Sequence, residues 1–208
     1  MLNIDNYHMI GVDCMKTKEK ILYATLELAS KEGLGRISMS DIANAIGIRK
    51  PSLYNHYASK EELMRTMFTH IRSEALKKMP NDNMEAYVER FPSEAILYHA
   101  IDVYFKWNQE SDVRKLNRVI AAEKMTDPLV AKMDAEETAE RIQYFKTLFE
   151  SMTTKGKAKI KDPEFAAKLI VYHMQKLVEL SLLGEEGLEK EIFVFCKNFT
   201  NIFNNGDI

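Results

Sequence analysis

The stretch Ser38–Leu63, SMSDIANAIGIRKPSLYNHYASKEEL, decides how this chain is read. It breaks into two short helices around a tight turn, followed at once by a third helix. Ser38 is a strong N-cap, and Asp41 stands three residues on, the spacing of a capping box with Asp in place of Glu. Ile42, Ala43 and Ile46 fall at i, i+1 and i+4, one apolar face of a short helix. Gly47 follows, where a helix ends on a residue free to take positive φ. Ile48 returns to the core. Pro51 suits the first turn of a new helix, because its missing N–H would lack a helical partner there anyway. That second helix is predicted over Pro51–Tyr57, with Leu53 and Tyr57 inward. Ser59 then caps the third helix, with Glu62 completing its box.

Two helices crossing at a small Ala and joined through a Gly turn describe a helix-turn-helix. Its second helix turns Arg49, Lys50, Ser52, Tyr54, Asn55 and His56 outward. Cations, hydroxyls and an amide are the groups that hold phosphates and base edges. Lys50, Ser52 and Asn55 are expected nearest the bases; Tyr54, His56 and Lys60 are expected on phosphates, Lys60 being helped by the positive end of its helix. Thr17 and Lys18 at the start of the preceding helix, Ser38 and Ser40 at the start of the first motif helix, and Pro51 complete the candidate DNA-contact set.

The run DIANAIGIRKPSLYNHYASKEELM resembles the DNA-binding signature of the TetR/AcrR family of bacterial repressors. The shared positions are Ile42, Ala43, Gly47, Ile48, Ser52, Leu53, Tyr54, Lys60 and Leu63. The chain departs where Tyr57 replaces a common Phe and where Pro51 replaces a small or flexible residue. The resemblance covers the N-terminal segment only. It implies an all-α homodimer with a four-helix interface, a small-molecule effector in the C-terminal body, and a palindromic double-stranded DNA operator.

The 208-residue chain carries a net charge of −2 and is 46% hydrophobic. Such a chain buries a sizeable core. Its charge is unevenly placed. Lys16–Arg65 holds nine Lys/Arg and six Asp/Glu, whereas the remainder is net acidic. A mildly basic head on an acidic body fits docking on DNA with one end. No apolar run is long enough to span a bilayer and no secretory leader is visible, so a cytoplasmic protein without membrane contact is expected. Cys14 and Cys196 make no disulfide framework. His8, His56, His70, His99 and His173 are scattered. His70 and Glu74 stand at i, i+4 without a third ligand, so no metal site is expected. No nucleophile elbow, phosphate loop or Cys pair appears. Neither an enzyme nor a cofactor is expected.

The rest of the chain reads as helices. Residues 1–14 form an extension without periodicity, and Met15 is a plausible start. Thr17–Glu32 is a helix with Ile21, Leu22, Thr25, Leu28 and Ala29 at helical spacing. The helix-turn-helix domain is placed at 15–63 and a helical ligand-binding and dimerisation domain at 64–208. The Ser59–Met79 helix, with Leu63, Met67, Ile71 and Leu76 inward, leaves the head and enters the body before a break at Pro80–Asn83. Further helices are expected at 83–91, 93–110, 111–126, 128–152, 165–183 and 188–203, the third-last and second-last announced by Asp-Pro pairs at 127 and 162. The fold class is all-α, with about nine helices. Thr153–Lys161 reads as a solvated basic loop. The 165–183 helix is apolar nearly all round and must be covered on all sides. With 188–203 it predicts a helix pair packing on its own copy through 163–183 and 188–203. Tyr98, His99, Tyr104, Trp107, Tyr144, Phe145, His173 and Met174 are the candidate lining of an apolar effector cavity, the family resemblance favouring a cavity over plain core. The rival reading is an all-helical adaptor or small-molecule-binding protein without DNA affinity. Steep salt dependence of duplex binding separates the two.

Overall fold

A computed structural model describes residues 16–77 and 83–205. The predicted 1–14 extension and the Pro80–Asp82 part of the predicted break lie outside the described residues. Among those described there are ten α-helices and no strand. They are α1 (Thr17–Glu32), α2 (Met39–Ala45), α3 (Lys50–Tyr54), α4 (Lys60–Lys77), α5 (Met84–Arg90), α6 (Ser93–Gln109), α7 (Ser111–Glu123), α8 (Pro128–Thr154), α9 (Pro163–Leu182) and α10 (Leu188–Asn205). The chain divides into two compact units between Arg72 and Ser73.

In the first unit, Ile21, Leu22, Leu26, Ile42, Leu53, Leu63 and Met67 are buried side chains of α1 to α4. Thr25 is fully buried because its hydroxyl donates to the Ile21 carbonyl at 2.8 Å, leaving no unmet polar group. Leu26 takes the buried place that the spacing gave to Leu28, which is half-buried. On α4 the inward residue near the end is Ala75, not Leu76, which is 59% exposed.

The second unit is a long antiparallel pair, α8 and α9, with α10 packed on α6. Its core joins Ile96, Leu97, Phe145, Phe149, Ile170, Met174, Ile192 and Phe199. Both Asp-Pro signals work as read. Asp127 accepts from the amides of Leu129 and Val130 at 2.8 and 3.3 Å, and Asp162 accepts from the Phe165 amide at 2.9 Å. Each pair joins an N-cap acceptor to a proline that needs no partner. Within one chain the nearly all-round apolar 165–183 helix is not covered on all sides. Phe165, Leu169 and Tyr172 stand exposed on α9 and Leu183 at its C-cap, as do Phe193, Val194 and Ile202 on α10.

Candidate nucleic-acid interface

The α2–turn–α3 unit is built by local hydrogen bonds. The Asp41 amide donates to Ser38 Oγ at 3.2 Å, while the Ser38 amide donates to the Asp41 carboxylate at 2.8 Å. Ser38 Oγ also donates to that carboxylate at 2.6 Å. These bonds, the hydroxyl's first, hold the Asp41 carboxyl below its ordinary pKa. At the far end of α2, Gly47 has φ +72° and the Ile48 amide reaches back to the Ala43 carbonyl at 3.0 Å. No atom lies within 4 Å of where a Gly47 Cβ would sit, so the backbone angle, not space, selects glycine.

Helix α3 begins one residue earlier than predicted, at Lys50, and ends three earlier, at Tyr54. Asn55 and His56 form a turn in which the amides of His56 and Tyr57 both point to the Leu53 carbonyl at 3.0 Å. That turn swings Tyr57 into the core, where it is 3% exposed and its hydroxyl donates to the Lys18 carbonyl at 3.4 Å. The tyrosine therefore fills the place of a phenylalanine while finding a polar partner. Burial pushes its hydroxyl pKa up.

Leu53 is the buried anchor of α3. Around it, Arg49, Lys50, Pro51, Tyr54 and Asn55 are exposed, and Ser52 and His56 are half-buried. Thr17 and Lys18 are exposed at the start of α1, and the Lys18 ammonium lies 5.9 Å from the Tyr57 ring centroid. Thus Lys18, the α3 face and Tyr57 share one neighbourhood. Two predicted contacts turn out to hold the fold. Ser38 spends both its donor and its acceptor on the α2 cap, and Ser40 is half-buried. Lys60 donates to the Leu34 carbonyl at 2.6 Å and the Ile37 carbonyl at 2.7 Å. Its ammonium ties down the loop between α1 and α2 and is not an open phosphate clamp.

The eight candidate cavity residues are not gathered into one pocket. Tyr98 meets Phe193 edge-on at 6.1 Å, and His99 stacks on Tyr87 at 4.4 Å. Tyr144 is 47% exposed, while its neighbour Phe145 and also Met174 are core residues. His173 stacks on Phe195 at 4.0 Å, and burial lowers its pKa. A cavity of about 10 Å³ lies elsewhere, against Leu97, Phe149, Phe199 and Thr200. It is no larger than one water.

Tyr104 and Trp107, by contrast, sit together with rings 5.8 Å apart, beside a polar group that the sequence reading missed. Arg141 donates to the Tyr104 hydroxyl and to Glu137 at 3.0 Å, and Gln175 donates to Thr138 Oγ1 at 2.7 Å. Glu137, Arg141, Phe145 and Leu148 share one face of α8 at i, i+4, i+8 and i+11. Two charges continuing an apolar stripe were the available signal. Among the described residues, no group of three or more His, Cys, Asp or Glu is placed to hold a metal, and no helix is long and apolar enough to cross a membrane.

An all-α chain whose head is a capped helix-turn-helix with a cationic outer face has the build of a helix-turn-helix regulator. Residues 21–67 match the family described as bacterial regulatory proteins, tetR family, and residues 97–185 match the AefR-like transcriptional repressor C-terminal domain. The chain belongs to the TetR family of transcriptional regulators. It is 43% identical over 54 residues to the uncharacterized HTH-type transcriptional regulator YxbF of Bacillus subtilis, covering 26% of this chain and 14% of that protein. It is 40% identical over 48 residues to IcaR of Staphylococcus epidermidis, the biofilm operon icaADBC HTH-type negative transcriptional regulator, covering 23% and 26%. The matched stretches thus span well under a third of either relative. The fold extends further. A TetR-family regulator structure from Mesorhizobium loti superposes with TM-score 0.67 at 21% identity, over 90% of this chain and 96% of that one. A transcriptional regulator from Saccharomonospora viridis, solved with choline, gives 0.65 at 14% identity, over 88% and 94%.

Proposed function

We propose that the chain is a ligand-responsive, DNA-binding transcriptional repressor that acts as a homodimer on a palindromic operator. The observation that carries this is the α3 face: Leu53 buried beneath, with Arg49, Lys50, Tyr54 and Asn55 exposed above. Cationic and amide side chains raised on a short rigid helix suit the major groove. The negative regulation stated for IcaR and the repressor description of the C-terminal match support the sign. The exposed apolar residues of α9 and α10 support self-association through 163–183 and 188–203. The domain roles follow the predicted 15–63 head and 64–208 body. An effector bound in the body lowers DNA affinity by binding the two states unequally, and α4 is the element that carries the shift.

The test is a gel shift on the full chain against duplexes selected from a random pool. Lys50→Ala and Tyr54→Ala are expected to weaken binding, and wild-type affinity is expected to fall steeply with salt. Undiminished affinity in both variants at fixed salt overturns the assignment. Absence of duplex affinity at any salt favours the adaptor reading instead.

A further inference from the structure

We propose that the effector is a carboxylate-bearing aromatic molecule whose carboxylate seats on the Nε–Nη2 edge of Arg141, between α6, α8 and α9. This rests on the reading of the body as an effector domain and names the chemistry it recognises. The geometry is as follows. The Arg141 side chain is only 15% exposed and reaches inward from α8. Its Nη1 is engaged twice, by the Tyr104 hydroxyl and by Glu137 at 3.0 Å. Its Nη2 has one long contact, 3.4 Å to Thr138 Oγ1. That hydroxyl also donates to the Asp134 carbonyl and accepts from Gln175, each at 2.7 Å, so its second lone pair is all it offers Arg141. The Nε is buried and has no hydrogen-bond partner among the described residues.

A guanidinium offers five donors in a fixed fork, and Nε with Nη2 forms one two-donor edge of it. A carboxylate matches that edge with two parallel bonds. A buried donor left without an acceptor is costly, so a ligand that supplies the acceptor gains what the empty site forgoes. A neutral amide offers one oxygen where two are wanted. A cation meets the guanidinium with like charge. The aromatic part of the ligand follows from Tyr104 and Trp107, whose tilted rings lie beside the Arg141 cluster, with the guanidinium 5.4 Å from the Tyr104 ring centroid. The edge is covered in this structure. Admitting a ligand therefore parts α6 from α8 and α9, which gives the ligand different affinities for the closed and parted states.

The test uses the full chain, thermal shift and titration calorimetry. The probes are benzoate, salicylate and cinnamate, their primary amides, and tetramethylammonium. At least one acid is expected to bind and raise the melting temperature, with its amide and the cation about tenfold weaker or silent. Arg141→Lys keeps the charge but loses the fork; it is expected to weaken acid binding by about tenfold to a hundredfold, as loss of a charge-assisted bond implies. Lys132→Ala breaks only an exposed ion pair on the same helix and is expected to keep acid binding, which controls for a general loosening of α8. Failure of all three acids, equal binding of an acid and its amide, preference for the cation, or unchanged acid affinity in Arg141→Lys each overturns the proposal. Release of selected duplex DNA is read separately. If an amide or the cation releases DNA, the regulator reading stands and the carboxylate inference falls. If an acid binds through Arg141 without affecting duplex binding, the carboxylate site stands, and its role as the effector site and the effector reading of the body fall together.

Discussion

Lys60 offers the sharpest separation between holding the head together and holding DNA. Its ammonium donates to the carbonyls of Leu34 and Ile37 at 2.6 and 2.7 Å, across the loop that joins α1 to α2. Hydrogen bonds to a charged group contribute about 1.5–3 kcal/mol each, less where water can replace the donor. Both carbonyls belong to a surface loop over the buried Leu34 and Ile37, so partial rehydration is expected in Lys60→Ala. A loss of about 2 kcal/mol follows, or about 1 M in the urea midpoint for a slope near 2 kcal/mol/M. Arg49 is an exposed cation on the same outward face, so Arg49→Ala should leave the stability within about 0.5 kcal/mol of wild type. The DNA readout reverses the order. A cation neutralising one phosphate contributes about 0.9 to the slope of log affinity against log salt. Arg49→Ala should flatten that slope by about one unit if Arg49 neutralises a phosphate, and Lys60→Ala should leave it unchanged while lowering affinity through the fraction of folded head. Urea titration by circular dichroism and fluorescence anisotropy at four salt concentrations measure both. An unchanged urea midpoint together with a flattened salt slope in Lys60→Ala would refute the structural assignment and restore Lys60 as a phosphate contact.

Other expectations are as direct. Ser38→Ala removes the α2 cap and should cost about 1 kcal/mol of stability in the same urea titration. The Asp41 carboxyl is held below its ordinary value of 3.8 in the folded chain, so its cap is fully present above that pH and lost as pH falls through the lower folded value. Asp41→Asn should flatten the acid limb of stability against pH, and an unaltered limb contradicts the cap. Gly47→Ala must place a Cβ at φ +72°, at a cost of about 1–2 kcal/mol without a clash, measurable by thermal melting. The Cys196 thiol is 1% exposed with its pKa pushed up to about 12 by burial, so a disulfide reagent at pH 8 should react with it only on unfolding.

How far the sequence could be read depended on the range of the forces involved. Caps and turns are local, so Ser38–Asp41, Gly47, Asp127-Pro128 and Asp162-Pro163 declared their helices within a few residues. The inward faces were legible wherever apolar spacing was strict, as in Ile96–Leu97–Ala100–Ile101. The three-residue overrun at the end of α3 came from a non-local need, the burial of Tyr57 against the start of α1. The Lys60 contacts were hidden for the same kind of reason: its partners lie 26 and 23 residues away, and nothing in its own neighbourhood reveals two carbonyls waiting for a cation. Aromatic residues marked the body's interior without saying which of them meet. Tyr104 adjoins a buried charged group, Arg141 with Glu137, and the sequence does not reveal it because an i, i+4 ion pair on a helix ordinarily lies in solvent.

The exposed residues of α9 and α10 make the proposed second copy testable. A helix apolar nearly all round must be covered all round, yet within one chain Phe165, Leu169 and Tyr172 remain 45, 39 and 55% exposed, and Phe193 and Val194 remain 52 and 47% exposed. Burying such a side chain fully is worth about 1.5–3 kcal/mol, so the uncovered halves of these five hold about 4–8 kcal/mol per protomer. A two-fold axis counts that twice, against an association cost of about 4–15 kcal/mol. The balance permits a stable dimer at micromolar protein and leaves it sensitive to a single change. Leu169→Glu places two buried charges in an isologous interface, where each costs several kcal/mol. Light scattering on the wild-type chain should give twice the 24.1 kDa chain mass, and on Leu169→Glu the mass of one chain, with helix content unchanged. DNA affinity should drop with dimerisation, because two α3 faces on one assembly bind half-sites jointly and a lone one does not. A Leu169→Glu protein that stays dimeric would remove α9 from the interface, and with it the explanation of why its apolar residues face outward.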